Sequence, residues 1–467
     1  MAIAVLGCGG GGEGGDSTGG ATPTSETSGG HSAAKNGRIV IVGEDGRLAS
    51  VNPDGTDRRD IEGPGVEPRG GIRLNASGIA FFRSAGDDPQ LVMVDGEDGK
   101  MTALAPIEPH YLGPALGLAL DVGGGTRFAF FPDTSGDGGG VFVDIERRSA
   151  IPITDKRDPG ARLFTFEISP DERHLIAIGQ DTLVFRTDDP DDVQRLPREL
   201  AGATFAPDGQ TMFSTRHREG ESAVVRVPVG GGDPEVLAEG DDLRSLGTVG
   251  NSVVIQDGTD IFLTEKPGDR RVIKSDVSED LDLLVASRTP GEHAVLEARS
   301  EGEDGDKTST WAMIDGTGSS LVEHPELNGF HPVPTDGRSV VLSSVDLTES
   351  RDPATGPVTL AVLNASTGVV TTATIPDPAG PSVQQSPDGT VTAVSLRRPE
   401  SKSPVTLIIG AGTEAETAGQ FAGWAPDGSA LLVISLVDGQ PHAMVASLDG
   451  KVQTDLGPAF NAVWVPE

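Results

Sequence analysis

Cysteine occurs once in the 467 residues, aromatic residues make up only 4%, and basic side chains number 36 against 71 acidic ones. No run of eighteen apolar residues occurs, so nothing in the sequence reads as a membrane-spanning helix. A single thiol excludes a disulfide framework and any multi-cysteine zinc or iron–sulfur centre. The formal charge of −35 repels phosphate backbones, which excludes nucleic acid as an expected partner. Trp311, Trp424, Trp464 and Tyr111 are the only Trp or Tyr residues, a poor supply of the exposed aromatic faces that sugar sites use. Apolar residues at 36% together with 64 glycines nevertheless suffice for a globular core.

The one cysteine, Cys8, follows Ala4-Val5-Leu6-Gly7 and precedes a stretch, 9–36, with ten Gly, four Ser and four Thr and no Val, Leu, Ile, Met or aromatic residue. Such a stretch cannot bury enough surface to fold and reads as a linker. Val5-Leu6-Gly7-Cys8 resembles the lipobox of bacterial lipoproteins, in which the leader is cut before a lipid-carrying cysteine. The resemblance implies 1–8 as the end of a signal peptide whose basic and apolar parts lie upstream of Met1, lipidation at Cys8, and attachment to a membrane through that anchor alone. The plain alternative is a chance cysteine in a low-complexity leader.

From residue 37 to 467 one unit recurs: an apolar strand, a tight turn, and a second apolar strand. Clear turns are Ser386-Pro387-Asp388-Gly389, Ala425-Pro426-Asp427-Gly428, Ala206-Pro207-Asp208-Gly209 and Ser169-Pro170-Asp171-Glu172. Proline presets the first corner, aspartate caps local amides, and glycine takes the left-handed position. Successive turns end at 78, 125, 172, 209, 250, 292, 337, 389 and 428, so the period is about 44 residues, the size of a propeller blade. A second hairpin follows in each unit, as at Leu363 to Gly368 and Ala446 to Gly450. Two hairpins make four antiparallel strands. The N-terminal unit lacks its innermost strand and Phe460 to Pro466 reads as an orphan one, so the ends are expected to pair. The fold class is therefore an all-β propeller of about ten four-stranded blades, as one large ring or two smaller ones.

These Pro-Asp-Gly turns, together with Val51-Asn52-Pro53-Asp54-Gly55-Thr56-Asp57-Arg58-Arg59, resemble TolB-type (WD-like) repeats of bacterial envelope proteins. The resemblance spans 37–467 and implies a propeller working outside the cytoplasm. The ten units, and the lack of any long helical pattern, depart from the six blades and α/β domain of TolB itself.

Chemistry-bearing motifs are few. Asp133, Ser135 and Asp137 stand at positions 1, 3 and 5 of a calcium-loop skeleton, with Gly138 at 6 and Asp144 at 12, so Ca2+ is the one cofactor the sequence offers a place for. The competing reading is a solvated hairpin tip, and no other cofactor is expected. The eight histidines show no ligand spacing, and no catalytic residues stand out. Between second and third strands lie long stretches at 132–140, 299–310, 346–357 and 397–404. Insertions on one face of a repeat array build binding surfaces, which points to Asp346, Glu349, Arg351, Asp352, Arg397 and Arg398. The expected function is a monomeric, lipid-anchored propeller binding a protein or peptide at the cell envelope. The alternatives are a metal-dependent, lactonase-like propeller hydrolase and a non-catalytic ligand sensor.

Overall fold

The computed structural model describes residues 37–68, 73–74, 79–85, 90–95, 99–104, 120–121, 127–132, 140–153, 163–179, 181–189, 192–218, 221–241, 243–274, 280–285, 294–301, 307–315, 321–333, 339–344, 357–364, 367–375, 379–387, 389–397, 403–410 and 413–465. These form ten four-stranded antiparallel sheets. Blade 1 consists of Arg38–Val42, Leu48–Val51 and Arg59–Ile61, completed on its inner side by Asn461–Val465. The remaining blades follow in chain order, innermost strand first. Blade 2 starts at Arg73–Leu74, blade 3 at Leu120–Asp121, blade 4 at Leu163–Ile168, blade 5 at Leu200–Phe205 and blade 6 at Leu243–Val249. Blades 7 to 10 start at Asp280–Val285, His331–Val333, Ala379–Gln385 and Gln420–Trp424.

Ten apolar clusters decide between one ring and two, because each joins a pair of consecutive blades. Ile39, Ala49 and Trp464 of blade 1 pack with Leu432 and Val445 of blade 10, while Val40, Val463 and Val465 pack with Phe82 and Val92 of blade 2. The other eight clusters continue the series without a break. Two rings would leave a junction in this series unmade, so the chain closes one ring of ten blades, more than the four to eight of most propellers. The tryptophans do pack between blades: Trp464 between 10 and 1, Trp424 between 9 and 10, and Trp311 between 7 and 8. The Trp311 indole N–H donates to the Phe330 carbonyl at 3.2 Å.

The turn chemistry is as the sequence implies. In blade 5 the Gln210 and Thr211 amides donate to Asp208 Oδ1 at 2.8 and 3.0 Å, and in blade 10 Ser429 donates to Asp427 Oδ1 through both its amide (3.0 Å) and its hydroxyl (2.6 Å). In blade 4, where Glu172 replaces the usual glycine, it still adopts φ 56°.

A feature that periodicity does not show is a buried polar position within the second strand in five successive blades. Thr215, Gln256, Glu297, Ser343 and Ser395 are all buried, each two residues beyond an apolar residue that faces the next blade. Thr215 Oγ1 accepts the Ser245 amide of blade 6 at 3.0 Å, and Ser395 Oγ accepts the Phe421 amide of blade 10 at 2.7 Å. In blade 4 the innermost strand itself supplies such a link, Glu167 accepting the Phe205 amide of blade 5 at 3.1 Å. The innermost strands of blades 4, 5, 6, 7, 9 and 10 are bulged against their second strands. Bulging frees backbone donors from the ladder, and the side chains of the preceding blade satisfy some of them.

His174 opens the second strand of blade 4. Burial holds its pKa below 6.5, and its inaccessible Nδ1 has no partner among the described residues. The folded state therefore binds this proton less readily than the unfolded chain does. Stability is complete above about pH 6.5 and is lost as the pH falls through that value toward the lower folded pKa. Thermal melts between pH 7 and 5 should show a decline of at most about 1.4 kcal/mol per pH unit from this group, removed by His174→Leu. An identical decline in that variant would refute the assignment.

Candidate functional site: the connection-bearing face

Because strand direction alternates, the turns between first and second strands and between third and outermost strands share one face. The second-to-third connections and the blade-to-blade crossings share the other. On the first face the turns are mostly short and, where described, closed by their own hydrogen bonds, while the longest of them, 286–293 in blade 7, lies outside the described residues. On the second lie the 344–357 connection and the crossings 62–72, 104–119 and 154–162 between described strands.

The described parts of this second face are firmly held. Between blades 1 and 2 the crossing runs as a strap: the Val66 amide donates to the Gly46 carbonyl at 2.9 Å, and the Glu67 amide to the Arg83 carbonyl at 3.0 Å. The Ala85 amide donates back to Gly65 at 2.8 Å, and Arg83 pairs with Glu67 at 3.4 Å. Between blades 4 and 5 the buried Asp181 carboxylate is paired with Arg195 and, at 2.7 Å, with Arg198. Arg218 reaches Glu199 at 3.3 Å across the same junction. Between blades 7 and 8 a 3-10 turn, Pro325–Leu327, drives Leu327 fully into the core. Beside it His324 Nδ1 lies 2.9 Å from Glu326, and this hydrogen bond keeps the glutamate pKa below its ordinary value.

Second-to-third hairpins are unequal in height. Blades 5, 7 and 10 carry eight-residue strands on both sides, such as Ala430–Val437 against Gln440–Ser447, whereas those of blades 1 to 3 have four or five residues. Leu436, near the tip of the blade 10 hairpin, is 49% exposed. Next to it on the third strand, His442 Nδ1 lies 3.0 Å from Asp455. Burial raises the Asp455 pKa, but the Gly457 amide and His442 outweigh it and leave the carboxyl below its usual range. His217 Nδ1 lies 3.0 Å from Ser222 Oγ across the blade 5 hairpin. The two are cross-strand neighbours, and among the described residues no carboxylate completes a nucleophile–base–acid set on this pair. Nor do three or more His, Cys, Asp or Glu side chains gather as a metal site among the described residues.

Several sequence expectations require correction here. The stretch 299–310 is mostly ladder, with pairing continuing to Glu301 and Lys307, so the hairpin simply stands higher. Arg397 likewise ends a strand and pairs with Pro404. In both cases the hairpin tip reads as loop because its residues are polar and lack the apolar alternation by which a strand is recognised. The crossings 62–72, 104–119 and 154–162 were missed, since a period taken from turns on one face does not register lengths on the other. Asp144 cannot be the twelfth ligand of a calcium loop beginning at Asp133. Gly140–Asp144 is a strand, which sets Asp144 about 13 Å from the loop end. Its buried carboxylate is held instead by Arg127 at 2.9 Å and Arg147 at 3.5 Å. Cys8, Asp133, Ser135, Asp137, Asp346, Glu349, Arg351, Asp352 and Arg398 lie outside the described residues.

Among the described residues no helix is long and apolar enough to cross a membrane. No family model matches the chain, and no curated protein sequence matches it. Among solved structures it is similar to a eukaryotic initiation factor at 12% identity, over 92% of this chain and 98% of that one, with a TM-score of 0.45. It is similar also to a putative TolB from Agrobacterium tumefaciens at 19% identity (53% of this chain, 93% of that one, TM-score 0.32) and to Kuenenia stuttgartiensis hydrazine synthase at 13% (81%, 95%, 0.32). At such identities nothing about activity, ligand or partner passes from these proteins to this chain.

Proposed function

We propose that the chain is an exported, TolB-like propeller that is lipid-anchored at Cys8 and binds a protein or peptide partner at the cell envelope through its connection-bearing face. The observation that carries this reading is the asymmetry between the two faces. One has mostly short turns, of at most eight residues at 286–293, and the other collects the longest connections, 104–119 and 344–357, on a frame held by the 62–68 strap, the Asp181 pairs and the Leu327 plug. Variable connections on a rigid scaffold are how folds of this kind present recognition groups. For the anchor, support comes from the position of Cys8 between an apolar run and a Gly/Ser/Thr spacer.

The test compares two variants with the parent in affinity capture from an envelope fraction. Shortening 346–357 to a tight turn should abolish capture of the parent's partner while leaving the melting temperature nearly unchanged, because loop length enters stability only logarithmically. Replacing Pro426-Asp427-Gly428 by three alanines should lower stability, by about 1–2 kcal/mol, and leave capture intact. The reverse pattern would place the binding surface on the other face. In the same cells Cys8→Ser should move the chain from the membrane to the soluble fraction, and its retention there would overturn the anchor.

A further inference from the structure

Every blade of a propeller ends in an outermost strand with a neighbour on one side only, and an open edge of this kind invites pairing unless charge, proline or shortness blunts it. Seven of the ten outermost strands here carry a charged residue: Arg59–Ile61, Val193–Arg195, Glu235–Gly240, Arg271–Lys274, Leu321–Glu323, Thr413–Ala418 and Val452–Pro458. In blade 3, Ser149–Ile153 contains Pro152, and in blade 2, Met101–Ala103 is three residues long. The outermost strand of blade 8, Val370–Ile375, has none of these protections. Its sequence, Val-Thr-Thr-Ala-Thr-Ile, is uncharged and almost wholly β-branched, and Val369 just before it is 59% exposed.

Its outer side also has the right backbone phase. The Asn364 amide donates to the Val369 carbonyl at 3.0 Å, and the register pairs Thr371 with Val362, Ala373 with Leu360 and Ile375 with Val358. Inward bonding alternates from that start, so the N–H and C=O groups of Val370, Thr372 and Thr374 point away from the sheet. Thr372 and Thr374 are exposed, and Ala373 and Ile375 anchor the strand in the junction with blade 9. The edge is therefore fixed, flat and unguarded, which is the template for strand addition.

We infer that the outer edge of blade 8 is a second recognition site, separate from the connection-bearing face, which takes up an extended basic polypeptide segment as a fifth strand. Charge selects this occupant. The flanking outer strand of blade 9 presents exposed Glu414 and Glu416, while Glu323 of blade 7 is already paired with Lys274, and the whole chain carries −35. A second copy would bring the same acids against them, whereas a strand alternating β-branched residues with lysine or arginine is complementary in both backbone and charge.

The probe is a synthetic peptide alternating lysine and valine over about nine residues, with a counterpart of equal charge bearing prolines at its central positions. Hydrogen exchange should slow in 369–375 when the first peptide is added, and the proline peptide should give no such protection. Thr372→Lys with Thr374→Lys should weaken binding by about tenfold or more while the melting temperature stays near the parent's, since both side chains are exposed. A variant with 346–357 shortened should still bind the peptide, which keeps this site distinguishable from the proposed partner face. Equal binding of the proline peptide would show mere charge attraction and overturn the proposal. So would absence of protection at about 1 mM peptide. A dimer in sedimentation that the two lysines dissolve would overturn it in favour of a second copy as the occupant.

Discussion

A chain ending at Ala459 should fail to hold the ring. The strand Asn461–Val465 pairs along its whole length with Arg38–Val42 and feeds two junctions at once: Ala462 and Trp464 pack against blade 10, Val463 and Val465 against blade 2. Trp464 is 1% exposed. Its loss alone, as Trp464→Ala, should cost about 3–5 kcal/mol. The two valines add about 1.5–3 kcal/mol each. Domains of ordinary stability hold only about 5–15 kcal/mol in reserve, so the truncated chain should unfold at or below room temperature or aggregate through the exposed edge of Arg38–Val42. Thermal denaturation followed by size-exclusion chromatography measures both. A truncated chain that melts with the parent would mean that the ends do not close the ring.

A second large effect separates two glycines that the sequence presents as twins. Asp438-Gly439 and Asp449-Gly450 both occupy tight turns of blade 10, with Gly439 at φ 83° and Gly450 at φ 80°. A Cβ at Gly439 would meet nothing within 4 Å, whereas at Gly450 it would stand 2.3 Å from the Glu416 carbonyl oxygen in the outermost strand of blade 9. Gly439→Ala should therefore cost only the left-handed backbone term, about 1–2 kcal/mol. Gly450→Ala must in addition push one blade off the next, for a total of about 2–4 kcal/mol. Denaturant midpoints at constant m-value read the difference directly. Equal losses in the two variants would show that the blade 10 turn does not rest on blade 9 in this way.

The glycine pair also shows how far local reading reaches. A turn's need for positive φ is written in its own four residues, so Pro-Asp-Gly and Asp-Gly were legible without a structure. What lies across from the turn belongs to another blade, and no local pattern encodes it. The same division runs through the candidate site. That the connections fall on two faces follows from counting strands. Which of them are raised hairpins and which are true loops depends on pairing partners, as Glu301 opposite Lys307 and Arg397 opposite Pro404 show. Asp144 has a ligand's spacing but is a partner of Arg127, because four strand residues, 140 to 143, separate it from the loop.

By itself the sequence determined the four-stranded unit, its number near ten, and the closure of the ring by the two ends. Each of these rests on residue types acting over a few positions: β-branched strands and turn residues with preset dihedral angles. Tertiary structure alone decided that there is one ring, since only packing shows ten unbroken junctions. Packing also turned Thr215, Ser395 and Glu167 into acceptors for the next blade's amides, and left Val370–Ile375 as an edge with no neighbouring strand outside it among the described residues. The physical reason is that a strand's chemistry is local, whereas a strand's environment is set by residues in the next blade, 26 to 38 positions away in these links.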